Sequence, residues 1–231
     1  MLELNNVTSY YGKTSIIRDI NVSVQEGQCL CVLGRNGVGK TTLLQTIMGL
    51  TTSMTGSLKI NNQDFANQPT HARAHAGLGY VPQGRRILGK FSVRENIVLG
   101  TFARNDKTNT IPEYCLKLFP YLADNLDKRA GLLSGGQQQQ LAVARALATD
   151  PKVLLLDEPT EGIQPNIVEE IQNTLHHLNK DMGMTLILTE QHIKIAKKLA
   201  DLFIIMDIGR IVAQGPISEL TEELAHKHLT I

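Results

Sequence analysis

The sequence predicts an α/β fold: a mostly parallel sheet with flanking helices, a smaller antiparallel β portion and an inserted helical subdomain. Short apolar runs alternate with segments of helical periodicity, the mark of successive βα units. The run Val153–Leu156 is apolar at every position, as in a central strand covered on both faces. From about Ser92 to Gly131 strand-like runs give way to helical patterns.

Taken in order, the expected strands are Leu2–Val7, Ile20–Val24, Cys29–Leu33, Ser57–Ile60, Val153–Leu156, Thr185–Leu188, Leu202–Met206 and Ile211–Ala213. Ile20–Val24 alternates apolar and polar residues, as a half-exposed antiparallel strand does. Thr42–Met48 reads as an amphipathic helix, and Ser92-Val93-Arg94-Glu95 is a capping-box pattern ahead of Ile97, Val98 and Leu99. Ala103–Thr110 is polar and reads as a loop. A further helix is expected over Gln137–Leu147, and a short polar one from Ser218 to about Lys227 within the C-terminal stretch Gly215–Ile231.

Composition narrows the class. At 231 residues, with 42% hydrophobic and 19% charged residues, the chain suits one compact α/β domain: core at 1–91 and 132–231, helical subdomain at about 92–131. Its 23 basic and 22 acidic residues leave a net charge of +1, without the basic excess of a nucleic-acid binder. No apolar run approaches the roughly 18 residues of a membrane helix, and Met1-Leu2-Glu3-Leu4 does not open a signal peptide. A cytosolic protein, joined to any membrane through a partner, is expected. Cys29, Cys31 and Cys115 have no companion ligands at zinc spacing and read as buried thiols.

Gly34-Arg35-Asn36-Gly37-Val38-Gly39-Lys40-Thr41 fits the phosphate-loop pattern G-x-x-x-x-G-K-[ST], between a strand and a helix as the motif requires. Glycines let backbone amides curl around an anion, and the helix N-terminus adds its unpaired amides and positive dipole end. Lys40 sits where that dipole repels a cation, and a bound phosphate relieves the conflict. Lys40 is expected to reach the β- and γ-phosphates, and the hydroxyl of Thr41 to reach Mg²⁺. Gly34, Asn36, Gly37, Gly39 and Thr42 complete the expected ATP cradle. The core is thus read as a P-loop NTPase.

The apolar strand Val153–Leu156 runs into Asp157-Glu158. Carboxylates at such a place are costly unless they hold a metal or a partner. Asp157 suits Mg²⁺ coordination, and Glu158 suits orienting and deprotonating a water. A solvated Asp-Glu pair opening a turn before Pro159 is the plain alternative. Another strand, Met184–Leu188, ends in Thr189-Glu190-Gln191-His192. In a parallel sheet these strand ends share one edge, where α/β proteins place their ligands, so His192 is expected near the γ-phosphate.

Leu133-Ser134-Gly135-Gly136-Gln137 separates this chain from other phosphate-loop proteins. Ser134 is a good N-cap, and the glycines leave amides open at a helix start as a second anion site. The string resembles the signature of ABC ATPases, and the resemblance covers essentially the whole chain. It implies that Ser134, Gly135, Gly136 and Gln137 complete the ATP site of an opposing subunit in a head-to-tail dimer. It further implies that Tyr11 stacks on adenine and that Gln83 senses Mg²⁺ and the attacking water. His192 becomes the switch histidine, and Gly84–Phe91 contacts the permease.

One motif departs from that family. Where many members carry Ser-Ala-Leu-Asp, this chain has Glu161-Gly162-Ile163-Gln164, which puts the salt bridge of the usual aspartate in doubt and leaves Glu158 intact. Together with Gly34–Lys40, Gly135–Gln140 and Asp157–Pro165, the segment resembles the ATPases of urea and short-amide importers, above all the second of their two ATPase subunits. These are close relatives of branched-chain amino-acid importer ATPases, the alternative reading. The resemblance implies a second ATPase subunit (a heterodimer, with homodimerisation in isolation left open), two membrane permeases and indirectly a periplasmic binding protein. It also implies no nucleic acid, and a place on the inner face of the plasma membrane. A soluble ABC ATPase of DNA repair or translation would carry long insertions or a second motif set. A non-catalytic regulatory subunit would lack Glu158 or His192.

Overall fold

In the computed structural model, which describes residues 1–229, the chain forms two sheets joined through one layer of helix. In chain order the elements are β1 (Leu2–Tyr11), β2 (Thr14–Val24), β3 (Cys29–Leu33), α1 (Lys40–Met48), β4 (Ser53–Ile60), β5 (Gln63–Asp64), α2 (Thr70–His75) and β6 (Leu78–Val81). Then come α3 (Val93–Thr101), α4 (Glu113–Leu118), α5 (Pro120–Asp124), α6 (Gly135–Leu147), β7 (Val153–Asp157) and α7 (Pro165–His176). The chain closes with β8 (Thr185–Glu190), α8 (Ile193–Leu199), β9 (Leu202–Asp207), β10 (Arg210–Pro216) and α9 (Glu222–Leu229).

The larger sheet has six strands in the order β10-β9-β3-β8-β7-β6, parallel throughout except for β10 against β9. The smaller one, β2-β1-β4-β5, is antiparallel. Burial along the central strands has the period of two that a pleated strand imposes. Cys31, Leu33, Leu154, Leu156, Leu186 and Leu188 face a core closed by α6, α7 and α8. Leu30, Val32, Val153, Leu155 and Ile187 face the opposite core, which α1 fills with Leu43, Leu44 and Ile47. The antiparallel sheet seals that second core with Leu2, Leu4, Val7, Ile17 and Ile20. Helix α1 is therefore packed between two sheets, and each of its buried Leu and Ile side chains contributes roughly 1.5–3 kcal/mol of burial.

Several boundaries differ from the sequence expectation. Strand β6 went unread, because four residues interrupted by Gly79 carry too little apolar pattern; its pairing with β7 makes it a strand. Helix α1 begins at Lys40 and α6 at Gly135, so the loop residues themselves open the helices. The C-terminal helix starts at Glu222 rather than Ser218. Leu220 is buried and ends a short 3₁₀ turn, and the Thr221 hydroxyl accepts from the Leu224 amide (3.1 Å) to begin the helix afresh. The last two residues of the expected C-terminal stretch lie outside the described ones. The stretch expected to be helical holds α3, with its capping box between Ser92 and Glu95, then α4 and α5. No helix or strand lies between Thr101 and Glu113.

All three cysteines are free and buried. Burial pushes the Cys29 and Cys115 thiols up to about 12 and Cys31 well above its ordinary value, so they act as small apolar side chains. Among the described residues no group of three or more His, Cys, Asp or Glu could hold a metal.

Arg73 locks the far end of α1. Only 2% exposed, it donates from Nη1 to the carbonyls of Thr46 (2.6 Å) and Ile47 (2.9 Å). Nε reaches Gln68 (2.9 Å) and Nη2 reaches Ala66 (3.0 Å). Its charge meets the negative end of the α1 dipole and the last unpaired carbonyls of the helix. Arg73→Met keeps the apolar stem but strands those carbonyls. We expect a loss of about 2–4 kcal/mol in urea denaturation, with an unchanged m-value.

Candidate functional site

After Leu33 the chain turns through Gly34–Gly39 into α1. A Cβ on Gly34 would lie 2.7 Å from Val38 Cγ2 and 2.8 Å from the Met206 carbonyl oxygen, so only glycine fits there. The turn seats Lys40 as the first residue of α1, 4% exposed. Its ammonium donates to the carbonyls of Gly34 (2.8 Å) and Arg35 (3.0 Å) and pairs with Glu158 Oε1 at 3.0 Å. A cation at a helix N-terminus, unfavourable by itself, is thus held by three oxygens.

Asp157 ends β7 and is 1% exposed. Its Oδ1 accepts from Thr41 Oγ1 (3.1 Å) and Thr189 Oγ1 (2.8 Å), while the Tyr80 hydroxyl lies 3.5 Å from Oδ2. Burial pushes the Asp157 carboxyl above the ordinary range, against the two threonine hydroxyls, which pull it down. The structure therefore brings Thr41 and Asp157 into contact. Their hard oxygens fit a small divalent cation such as Mg²⁺, which takes few protein ligands and completes its shell with water and phosphate oxygens.

Glu158 has a φ of 45°, in the left-handed region. Such a conformation costs about 1–3 kcal/mol for a non-glycine residue and persists only where neighbours hold it. Here Thr189 Oγ1 accepts from the Glu158 amide at 2.8 Å. The turn swings the carboxylate back over the loop, with Oε1 on Lys40 and Oε2 accepting from Gln191 Nε2 at 3.0 Å. The plain alternative of a solvated Asp-Glu pair is excluded by the burial of both side chains.

Sheet register makes this convergence possible. Leu33 pairs with Glu190, and Asp157 pairs with Thr189, so β3, β7 and β8 end at one edge. The segment after β8 reaches the loop through Gln191. Gln191 Nε2 also donates to Asn36 Oδ1 at 2.8 Å. His192 is exposed, stands at the N-cap of α8 and makes no hydrogen bond to this cluster. It lines a cleft together with Glu158, Glu161, Gly162, Pro165 and Gln191.

The cleft over the loop has a volume of about 260 Å³ and is lined by Ile16, Asn36, Gly37, Gly39, Lys40, Thr41, Thr42, Gln83 and Glu158. Gln83 also donates to Glu161 Oε2 at 2.7 Å, linking β6 to the segment after Glu158. Tyr11 does not line the cleft; it is 40% exposed, and its hydroxyl bonds Gln45 of α1. The apolar wall comes from Ile16, which sequence reading missed because nothing marks one β2 residue among several. Thr189 and Thr160 were also missed. Thr160 donates to the buried Glu190 at 2.6 Å.

The signature segment lies apart from this cleft. Ser134 caps α6 in a capping box: its Oγ accepts from the Gln137 amide (3.3 Å), and Gln137 Oε1 accepts from the Ser134 amide (2.9 Å). None of Ser134, Gly135, Gly136 and Gln137 lines the cleft at Lys40. Arg85 lies over the helix start, donating to Gln138 Oε1 (3.5 Å) and to the Gly162 carbonyl (3.3 Å). Gln164 is the N-cap residue of α7 and makes no side-chain capping bond.

Fold and cleft define a phosphate-loop nucleoside triphosphatase. A family model described as ABC transporter matches residues 17–161, more than half of the chain. The chain is 38% identical to the high-affinity branched-chain amino acid transport ATP-binding protein BraG of Pseudomonas aeruginosa, over 92% of this chain and 91% of that one. It is 31% identical to the probable branched-chain amino acid transport ATP-binding protein LivF of Archaeoglobus fulgidus, over 96% and 94%. The lipopolysaccharide export system ATP-binding protein LptB of Escherichia coli is 30% identical over 96% and 93%. Among solved structures, an ATP-binding cassette of an ABC transporter superposes with a TM-score of 0.84 at 27% identity, covering 97% of this chain and 94% of that one. A dimeric cassette in a post-hydrolysis state, bound to ADP and Pi, gives 0.81 at 27% identity over 94% and 99%. This chain belongs to the ABC transporter family, as an ATP-binding subunit that hydrolyses ATP to drive transport.

Gly136 packs α6 onto α7: a Cβ there would lie 2.4 Å from Ile167 Cγ2. Gly136→Ala should cost about 1–3 kcal/mol from overpacking. Ile167→Ala in the same chain should return part of that loss, measured as a coupling energy in a double-mutant cycle by urea denaturation.

Proposed function

We propose that this chain is the motor subunit of an importer for a small polar solute. The observation that carries the chemistry is the buried contact of Lys40, Glu158, Asp157 and Thr41 beneath one open cleft. ATP enters with its phosphates on the amides of Gly37, Gly39, Lys40, Thr41 and Thr42, at the positive end of α1. The γ-phosphate competes with Glu158 for the Lys40 ammonium and frees the carboxylate. Glu158 then orients a water and takes its proton. Thr41, Asp157 and Gln83 would hold Mg²⁺, which when bound offsets charge on the transferring phosphoryl group.

The remaining roles follow the family resemblance. Ser134, Gly135, Gly136 and Gln137 serve the ATP of an opposing ATPase subunit, which their separation from the Lys40 cleft supports. Tyr11 packs against adenine from the rim. Two permeases hold the pair at the membrane, consistent with no described helix being long and apolar enough to cross it. Leu88 and Phe91, 41% and 46% exposed within Gly84–Phe91, suit contact with them.

The names of the relatives favour branched-chain amino acids as cargo. Urea or short amides form the second reading, favoured by Glu161-Gly162-Ile163-Gln164 and its flanking motifs. Glu158→Gln should bind ATP as the wild type does but turn over at least about 100-fold more slowly. Steady-state hydrolysis near the wild-type rate would remove Glu158 from its role. In the transporter purified from membranes, leucine with the matching binding protein should stimulate ATP hydrolysis. Stimulation by urea alone would select the second reading.

A further inference from the structure

The turn between β9 and β10 is built against the phosphate loop through backbone atoms. Arg210 pairs with Asp207, so Ile208 and Gly209 form a two-residue hairpin turn, with φ angles of 41° and 75°. Two successive positive φ angles suit Asn-Gly or Asp-Gly, and a β-branched residue in the first place is strained. Ile208 is 77% exposed, so packing of its own side chain offsets little of that strain. The turn is held instead by what Gly209 touches. Its amide donates to the Val38 carbonyl at 2.9 Å, and its carbonyl accepts from the Arg18 amide at 2.8 Å. A Cβ on Gly209 would lie 2.0 Å from the Ile16 carbonyl oxygen, and one on Gly39 would lie 3.6 Å from Gly209 Cα. Gly209 is thus wedged between the loop and the β2 segment that carries Ile16, the apolar wall of the cleft. Strained backbone persists where surroundings over-determine it, and here the surroundings are the loop itself.

We infer that Gly209 is a positioning residue for the phosphate loop, aiming the Gly39 N–H into the phosphate cradle. The peptide joining Val38 to Gly39 is trans, so its C=O and N–H point in opposite directions. With the Val38 C=O turned onto the Gly209 amide, the Gly39 N–H faces the other way, toward the cleft that Gly39 lines. Gly37 and Gly39, at φ 80° and 111°, leave no Cβ on either side of Val38 to resist rotation of that peptide. Released from Gly209, the unit would sample the flipped orientation and present a carbonyl to an anion. The Arg18 amide and the Arg210–Asp19 pair (2.9 Å) fix the turn in its place against β2. A loop amide holds phosphate in ground and transition states alike, so its misdirection falls on affinity rather than on the chemical step. The inference rests on the reading of Gly34–Thr41 as the segment that holds the phosphates.

The test titrates the full-length chain with MgADP and with inorganic tripolyphosphate, and follows kcat and KM for MgATP. Gly209→Ala should weaken both ligands and raise KM by about 10-fold, with kcat within about threefold of the wild type. Leu175→Ala, fully buried in the core on the opposite face of the sheet, should lower Tm yet keep both affinities within about twofold. Ile208→Asn, better suited to the left-handed conformation, should raise Tm by a few degrees and also leave both affinities unchanged. A role confined to folding would give Gly209→Ala the affinities of Leu175→Ala, and that result overturns the proposal. So would a fall in kcat at unchanged KM, or a loss of affinity in Ile208→Asn equal to that in Gly209→Ala. Hydrogen exchange on the wild-type chain tests the contact without any variant: the Gly209 amide should exchange as slowly as those of β3. Exchange as fast as in the Ala103–Thr110 loop would overturn the proposal as well. Lys40→Ala separates the two readings. If it binds tripolyphosphate normally, the reading of the loop fails; if it does not while Gly209→Ala does, only the role of Gly209 falls.

Discussion

The buried ion pair between Lys40 and Glu158 is the contact around which the rest of the site is arranged. Placing an ammonium at a helix N-terminus and a carboxylate beside it, both nearly without solvent, incurs desolvation that their attraction only partly offsets. The pair persists because each ion has further partners: two loop carbonyls for Lys40, and the Gln191 amide for Glu158. A phosphate group can therefore enter by exchanging partners rather than by opening a closed structure. The strained backbone of Glu158 serves the same contact by aiming its side chain at the loop.

That contact depends on a scaffold that does not give way. Helix α1 carries Lys40 and Thr41, and it is clamped between the parallel sheet and the antiparallel one by Leu43, Leu44 and Ile47. Arg73 secures its opposite end through the backbone carbonyls of Thr46 and Ile47. Parallel pairing of β3, β7 and β8 then brings three strand ends to one edge, with Thr189 bridging Asp157 and the Glu158 amide. The helical segments lie on the other core, where Gly136 lets α6 approach Ile167 of α7. The segments after β6 and β7 are joined by polar contacts, Gln83 to Glu161 and Arg85 to Gly162. The unusual Glu161-Gly162 segment is thus the receiving end of both links.

Much of this was legible in the residues themselves. The phosphate loop, the acidic pair and the capped signature helix are local patterns, written by glycine spacing, a helix start and a buried strand end. The continuous apolar runs of β3, β7 and β8 reveal their burial on both faces. By contrast, β6 has too few residues to show a period, and Ile16 is one apolar residue among many in β2. The partner of Tyr11 was not legible either: its hydroxyl bonds Gln45 of α1, 34 residues away in sequence.

The sequence by itself determined the chemistry available: which residues can cradle phosphate, hold a cation, accept a proton and cap a second anion-binding helix. Tertiary structure alone decided which side chains beyond the motifs touch those residues, among them the Gln191 amide on Asn36 and Glu158. The physical reason is long-range register: only the pairing of β8 with β3, residues far apart in sequence, brings Gln191 to Asn36 and Glu158.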